Sequence, residues 1–458
     1  MSTSLTSLQS ALKNLSANAS EAAISDDFSI PLLQALGFKT GEIIPQYDTG
    51  YGNNKKIDKA ARKNIDSDIF SHTKSNPYLI LELKSRGVNL TEGRSQYLNT
   101  VSQIKQYLLS PNCTSVQWGI ITNSLHIQLF RKHGKTIFPA TQCLALDINN
   151  VDEIAASIRQ KIENPNRALT ITIYNNQGGI GKTTTTVNLA AILAFLGKKV
   201  LVIDFDLNQQ DLTGVLGIPI SQGKVREALV DKNIELTSVV YPRKYSSQKL
   251  ERSCTFDIIP GDSKLQDDSS IFDEDVKRVL FLHTLYNKLK LARQEYDYIL
   301  IDASPNWRFT TQLAIYAADV VLIPTKFNHV SSLKNAAKAI TEFIPQMQEE
   351  KRKNSFNGSP IALPIFFNGE GKITKAQKKS VKEYVENIIR TAEQEGFNLL
   401  PYFHPKNTDT QALDIEDIHV LPRYTIISSS AFKYVPGVYQ HFSVRSCYEN
   451  LAKEYFIQ

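Results

Sequence analysis

The run Tyr174 to Thr186 reads YNNQGGIGKTTTT. Gly178, Gly179 and Gly181 let the main chain curl so that successive N–H groups point inward at a phosphate. Gln177 and Ile180 complete the loop, which follows an apolar strand and opens a helix. The helix N-terminus adds positive dipole at the same point. In such a loop Lys182 reaches the β- and γ-phosphates, Thr183 holds Mg²⁺ and Thr184 continues the cradle, so the expected ligand is ATP with Mg²⁺. Two further segments add carboxylates: KVLVIDFD ends with Asp204 and Asp206, and YDYILIDASP carries Asp302. The C-terminal edge of a neighbouring parallel strand is where the metal and an attacking water need an acceptor.

A second set of chemically capable residues precedes it. NIDSDIF carries Asp66 and Asp68, and PYLILELKS carries Glu82 and Lys84. Strand side chains alternate, so Glu82 and Lys84 project with Ile80 while Leu79, Leu81 and Leu83 face the other way. Burying an acid and a lysine among apolar neighbours is costly unless they have partners or a task. Asp68 and Glu82 on adjacent strands could hold Mg²⁺, with Lys84 orienting water for phosphodiester attack. The pair alone is a weak signal, because exposed strands often carry Glu and Lys.

These residues need a frame. The chain has 458 residues, 42% hydrophobic and 21% charged, ordinary for a soluble globular protein and long enough for two to three domains. Disordered, collagenous and disulfide-scaffold classes are excluded. The net charge of +6 permits a nucleic-acid partner without demanding one. Cys113, Cys143, Cys254 and Cys447 lie far apart, with no C-x-x-C pair. No secretory leader and no membrane-spanning run is read, and a cytoplasmic protein is expected.

A boundary is placed at ENPNRAL, dividing residues 1–165 from 166–458. In the first part helices are expected from about Leu5 to Leu15 and Glu21 to Leu36, and strands near Ile65–Phe70 and Pro77–Lys84. A helix from about Thr91 to Leu109 and a hairpin turning at Asn123 and Ser124 follow. TGYGNNKK, Thr49 to Lys56, reads as a glycine-rich polar loop. In the second part short Val- and Ile-rich strands alternate with helices, the pattern of a parallel sheet covered on both faces. The fold class is therefore α/β in both parts.

The second part resembles the ParA/MinD family of deviant P-loop ATPases over about Thr170 to Gln458. The resemblance rests on GGIGKTTTTVNLA, VLVIDFD, FDIIPGD, YDYILIDASP, ADVVLIPTK and LPRYTIISSSAF. It implies ATP binding, a dimer with two nucleotides sandwiched between subunits, Asp206 positioning the hydrolytic water and Asp302 supporting Mg²⁺. The family's K-G-G-x-G-K-T begins with a lysine that crosses to the partner's phosphates; here that position is Gln177. An amide carries no positive charge, so transition-state stabilisation should suffer and hydrolysis should be slow or need a partner. The proline usual after the second aspartate is Leu207.

The first part, about Ser20 to Leu146, looks like the PD-(D/E)xK nuclease superfamily. It resembles most the N-terminal region of type I restriction enzyme R subunits. Glu82-Leu83-Lys84 is followed by Gln103 and Tyr107 one turn apart, then by Trp118 in VQWGIITN and by Asn123. Glu21 matches an acidic position on the first helix. The resemblance implies metal binding by Asp68 and Glu82, with Asp66 a rival to Asp68 because Ser67 replaces the usual proline. A degenerate nuclease fold kept for docking DNA or an adaptor is the competing reading. Trp118 is read as core, and Gln103 and Tyr107 as equally at home on an ordinary helix face.

Lys351, Arg352, Lys353, Lys372, Lys375, Lys378, Lys379, Lys382 and, by family position, Arg423 are candidates for sequence-blind DNA contact. The tail SVRSCYENLAKEYFIQ spaces Val444, Tyr448, Leu451 and Tyr455 on one helical face. It lacks the cationic excess of a lipid-binding helix, so it is read as packing on the core. The reading that follows is a DNA-acting homodimer whose ATPase part controls a Mg²⁺-dependent nuclease, in defence against foreign DNA by analogy. The alternative is a partition or positioning ATPase, nucleoid- or plasmid-associated, working with an adaptor or activator protein.

Overall fold

The computed structural model describes residues 6–52, 55–206, 208–246, 253–265, 280–327, 329–354, 357–371, 373–403 and 418–458. The chain forms two compact units. The first is Met1–Pro165 with Lys351–Ser359 and Gln458; the second is Asn166–Glu350 with Pro360–Ile457.

The first unit opens with α1 (Ser7–Asn14), entered through a reciprocal cap between Thr6 and Gln9. Next come α2 (Glu21–Ala23), a π-turn at Ile24–Phe28 and α3 (Ser29–Ala35), with Gly37 in the left-handed region just beyond. The strands are β1 (Ile43–Tyr51), β2 (Lys55–Ala61), β3 (Leu79–Leu83), β4 (Trp118–Thr122), β5 (His126–His133), β6 (Thr136–Pro139) and β7 (Leu144–Ala145). The helices α4 (Phe70–Thr73), α5 (Ser95–Leu108) and α6 (Val151–Glu163) complete it. One sheet runs β1-β2-β3-β4-β5-β6, with β7 on β5. Among the described residues of this sheet only β3 and β4 pair in parallel, and α5 makes their crossover. Leu79, Leu81 and Leu83 enter one core layer with α1, α3 and α6, while Ile80 enters the other with α5.

Two expectations need correction. Ile65–Phe70 is not a strand: Ile65 and Asp68 form an isolated bridge and α4 begins at Phe70. The strand beside β3 is β2, the sequence KKIDKAA. Its lysine-rich start hides the alternation, because Lys55 and Lys56 lie exposed beyond the core. Thr49 to Lys56 is accordingly the turn end of the β1–β2 hairpin, with Asn53 and Asn54 outside the described residues.

The second unit carries β8 (Leu169–Ile173), β9 (Val200–Phe205), β10 (Tyr241–Tyr245), β11 (Cys254–Ile259), β12 (Tyr298–Ala303), β13 (Val320–Leu322), β14 (Pro324–Thr325), β15 (Ile361–Ala362), β16 (Phe366–Glu370) and β17 (Val420–Pro422). Its main sheet is ordered β10-β11-β9-β12-β8-β13-β15, parallel except for the β10 edge. A small parallel sheet, β14-β16-β17, stands beside it. Strands buried on both faces are apolar throughout; Ile171 and Ile173 are fully buried, and truncating either to Ala should cost about 2–5 kcal/mol. Behind β8 lies α7 (Lys182–Phe195), and α8 (Asp211–Val215) and α9 (Lys224–Val230) follow β9. The C-terminal helix Phe442–Tyr455 buries Val444, Tyr448, Leu451 and Tyr455, as its spacing requires.

Candidate functional site

The strand β8 delivers the chain to the glycine loop, where Gly179 and Gly181 adopt φ of +70° and +84°. Both are conformations that side-chain-bearing residues resist. A Cβ at Gly181 would also collide with Asn368 Nδ2. Lys182 begins α7, is buried, and donates from Nζ to Gln177 O at 3.1 Å. Facing it are the ends of β9 and β12, with Asp204 and Asp302 register partners and Asp206 just past β9. Ser304 Oγ donates to Asp206 Oδ1 at 2.8 Å. Thr186 Oγ1 donates to Asp302 Oδ1 at 3.2 Å, and the nearby Thr183 hydroxyl also acts to lower this carboxyl.

Burial pushes the Asp302 carboxyl well above its usual range, with Asp204 adding to the rise. Burial likewise lowers the Lys182 ammonium, against the pull of Asp302 and Asp206. Among the described residues, Asp302 Oδ2 is buried and accepts no hydrogen bond. Such an orphaned oxygen beside a threonine hydroxyl and Asp206 suits a hard cation that takes oxygen ligands, so these residues fit Mg²⁺ and a triphosphate. Asp204 is turned elsewhere: its Oδ2 accepts from Thr213 N at 2.8 Å and Thr213 Oγ1 at 2.6 Å, and burial pushes it up to about 7. It ties β9 to α8 rather than lining the loop.

In the first unit, Glu82 and Lys84 are closed on each other in an ion pair, Lys84 Nζ donating to Glu82 Oε1. Burial pushes Glu82 up to about 7 even with Lys84 lowering it. Burial depresses Lys84, but Glu82 outweighs it and the net shift is upward. The other charges that act on Glu82 are Asp58 and Glu21, and Asp68 is not among them. Asp68 is instead held by Arg62, whose Nη1 and Nη2 donate at 2.6 and 2.7 Å, and by the Thr73 hydroxyl at 2.9 Å. Arg62 keeps the Asp68 carboxyl below its usual range.

The residue that geometry sets beside Glu82 is Asp58 on β2. It precedes Lys59, the partner of Leu81, and its Oδ2 accepts from Leu83 N at 2.7 Å. Its signal in the sequence was the single acid in KKIDKAA, a segment whose first two lysines were read as loop and whose remainder, with Asp58, was given no element. Asp66 lies exposed in the same turn as Asp68. Glu21, in the first turn of α2, is raised by burial and does share the field of Lys84 and Asp58. Among the described residues, no three His, Cys, Asp or Glu side chains are grouped to hold a metal. Gln103 Nε2 donates to Tyr107 Oη at 3.1 Å. Trp118 is core, its Nε1 donating to Tyr78 Oη at 3.1 Å, and Asn123 Oδ1 closes the β4–β5 turn by accepting from Leu125 and His126 N–H.

Residues 168–356 match the family model described as an AAA domain, and residues 27–141 match that of the type I restriction enzyme R protein N terminus. The sporulation initiation inhibitor protein Soj of Bacillus subtilis is 31% identical over 179 residues, 38% of this chain and 66% of that one. The septum site-determining protein MinD of Helicobacter pylori is 31% identical over 176 residues, 38% of this chain and 58% of that one. The chain thus spans less than two thirds of either relative. The second unit is a ParA/MinD-type P-loop ATPase domain. It is fused to an N-terminal domain that matches the restriction-enzyme R-subunit model. Among solved structures, pNOB8 ParA bound to nonspecific DNA aligns at TM-score 0.41 and 22% identity, covering 62% of this chain and 99% of that one. Cyanothece apo McdA aligns at 0.44 and 19%, covering 62% of this chain and 98% of that one.

Within the ParA/MinD-type domain, Gln177 opens the glycine loop. Asn335 Nδ2 donates to Asn176 O at 2.7 Å and lies 3.5 Å from Gln177 Oε1. The loop start is therefore held by the Asn335 amide on Asn176 O and by the Lys182 ammonium on Gln177 O. Leu207 lies outside the described residues. On the basic helix Lys375–Gln394, Lys375 and Lys379 are exposed and Lys378 and Lys382 half-buried. Arg423 is exposed directly after β17. Lys351 is buried and so is removed from the candidate DNA contacts, and Lys372 lies outside the described residues. Among the described residues, no helix is long and apolar enough to cross a membrane.

Proposed function

We propose that the chain is an ATP-binding, DNA-interacting ATPase of the partition or positioning type, with the N-terminal domain as a DNA- or adaptor-docking module. The observation that carries this is the buried Lys182 beneath the glycine loop, facing Asp206 and the open oxygen of Asp302. Bound Mg²⁺ would neutralise phosphate charge. Thr183 and Asp302 would hold the ion, Lys182 would bind the terminal phosphates, and Asp206, fixed by Ser304, would orient the attacking water. Gln177 offers no charge to the transition state, so unstimulated turnover is slow and an activator protein is implied. Two such sites would meet in an ATP-dependent homodimer. Exposed Lys375, Lys379 and Arg423 supply sequence-blind phosphate contacts, so DNA binding weakens steeply with salt. A cytoplasmic protein associated with nucleoid or plasmid follows, in keeping with the relatives named Soj and MinD.

The test is DNA retention by the full chain with ATP and Mg²⁺, compared with Lys182→Ala and with Lys375→Glu/Lys379→Glu. Retention that needs ATP, Lys182 and low salt supports the reading. Equal retention without nucleotide overturns it.

A second reading is favoured by one observation, the buried Glu82–Lys84 pair with Asp58 beside it. In it the N-terminal domain cleaves DNA with Mg²⁺ under control of the ATPase domain, a role suited to defence. Its metal carboxylates would be Asp58 and Glu82, with Lys84 orienting water. Supercoiled plasmid with Mg²⁺, with and without ATP, decides: cleavage lost in Lys84→Ala and Asp58→Asn but kept in Asp68→Asn supports it. Intact plasmid throughout removes it.

A further inference from the structure

Asn368 is a buried amide on β16 that makes no use of its burial for the core. Its Nδ2 lies 2.8 Å from Ile180 O, 3.2 Å from Gly181 O and 3.2 Å from Thr185 Oγ1. One amide thus grips the two carbonyls that end the glycine loop and the first turn of α7. The left-handed Gly181 leaves no room for a side chain against it. Beyond Thr185 lies the buried Tyr448 of the C-terminal helix, whose phenol feels the Thr185 hydroxyl. Other C-terminal groups hold the same helix: Val438 N donates to Asn188 Oδ1 at 3.1 Å and Tyr439 Oη to Ala191 O at 3.0 Å. The main chain of Asn368 meanwhile pairs with Leu421 of β17.

We propose that Asn368 is the positioning residue of the phosphate loop, and that the C-terminal segment held on α7, with Tyr448 beside Thr185, helps set the loop's shape for the nucleotide. This rests on the ATP-binding reading. The physical reason is geometric. A loop that binds phosphate through its N–H groups must hold its carbonyls turned outward, and a carbonyl turned outward into a buried site needs a donor. Asn368 is that donor for Ile180 O, and it adds a second bond to Gly181 O, which also accepts from Thr185 N at 2.9 Å. Without it the loop reorders before each binding event, and ordering costs affinity.

The experiment is calorimetric titration of ATP with Mg²⁺ into the full chain, for wild type, Lys182→Ala, Asn368→Asp and Tyr448→Phe. The aspartate keeps the shape of Asn368 but sets a carboxylate against two carbonyl oxygens. Affinity is expected to fall at least tenfold at pH 8. The loss should shrink on acidification to pH 5.5, because a protonated carboxyl donates again, while wild type shows no such recovery. Tyr448→Phe should weaken binding a few-fold with an unchanged melting temperature of the unliganded protein. Variants that bind within twofold of wild type, while Lys182→Ala does not bind, overturn the proposal and leave the ATP reading standing. If wild type fails to bind ATP, the reading itself falls. If Asn368→Asp does not fold, Tyr448→Phe decides alone by the same twofold criterion.

Discussion

Each unit buries a lysine among carboxylates, and the two lysines are in opposite conditions. Lys84 is neutralised by Glu82 in direct contact, and the shared proton balance of the pair is internal. Among the described residues, Lys182 Nζ donates only to a loop carbonyl, while the carboxylate facing it keeps an unbonded oxygen. A site that leaves acceptors open and its cation lightly held is built to be completed by something else. A site closed on itself must first be opened. This is why the phosphate loop carries the functional proposal and the N-terminal pocket only a second reading.

The contrast can be broken at four places. Lys182→Ala should weaken ATP binding by roughly a hundredfold or more, the cost of losing a charged hydrogen-bond donor from a buried site; calorimetry reads it. Glu82 gives the N-terminal unit a pH effect in the acid range. Its carboxyl is raised from 4.5 to about 7, so its contribution to stability is full below 4.5 and lost as pH rises through 7. Thermal melting of wild type should show this loss, at most about 3 kcal/mol, and Glu82→Gln should flatten it. Lys84→Ala at pH 8 leaves Glu82 buried without its cation and should destabilise the N-terminal unit by about 2 kcal/mol, less than for a fixed charge because Glu82 can take up a proton. Denaturant unfolding at pH 8 and pH 5 should show the penalty shrinking at the lower value. Asp68→Asn should have the smallest effect on denaturant unfolding, because its pair with Arg62 is half-exposed and screened by solvent. A larger effect of Asp68→Asn than of Asp58→Asn on any activity of this unit would reverse the assignment made from the geometry.

The two units were not equally legible. Gly178 to Thr184 are contiguous, so the motif itself brings them together, and strand-end aspartates follow from the alternation of strands and helices. The small β14-β16-β17 sheet and Asn368 were not legible, because two-residue pairings and a clamp made across the distance from Asn368 to Ile180 leave no periodic trace. In the N-terminal unit the alternation of LILEL placed Glu82 and the leucines on the faces they occupy. The partner acid failed because it depends on register. Asp68 and Asp58 both precede β3, and only pairing of β2 with β3 distinguishes them. The lysine-rich opening of β2 resembled a loop, while the apolar ends of NIDSDIF resembled a strand.

The inclusion of Lys351–Ser359 in the N-terminal unit has a consequence during synthesis. When residue 165 leaves the ribosome this unit is still missing a piece of itself. It waits for that piece while the intervening chain is translated, roughly 10 to 40 s at ordinary elongation rates. For that interval the nascent protein carries an unfinished surface, and a chaperone that shields it would raise the yield of the full-length chain.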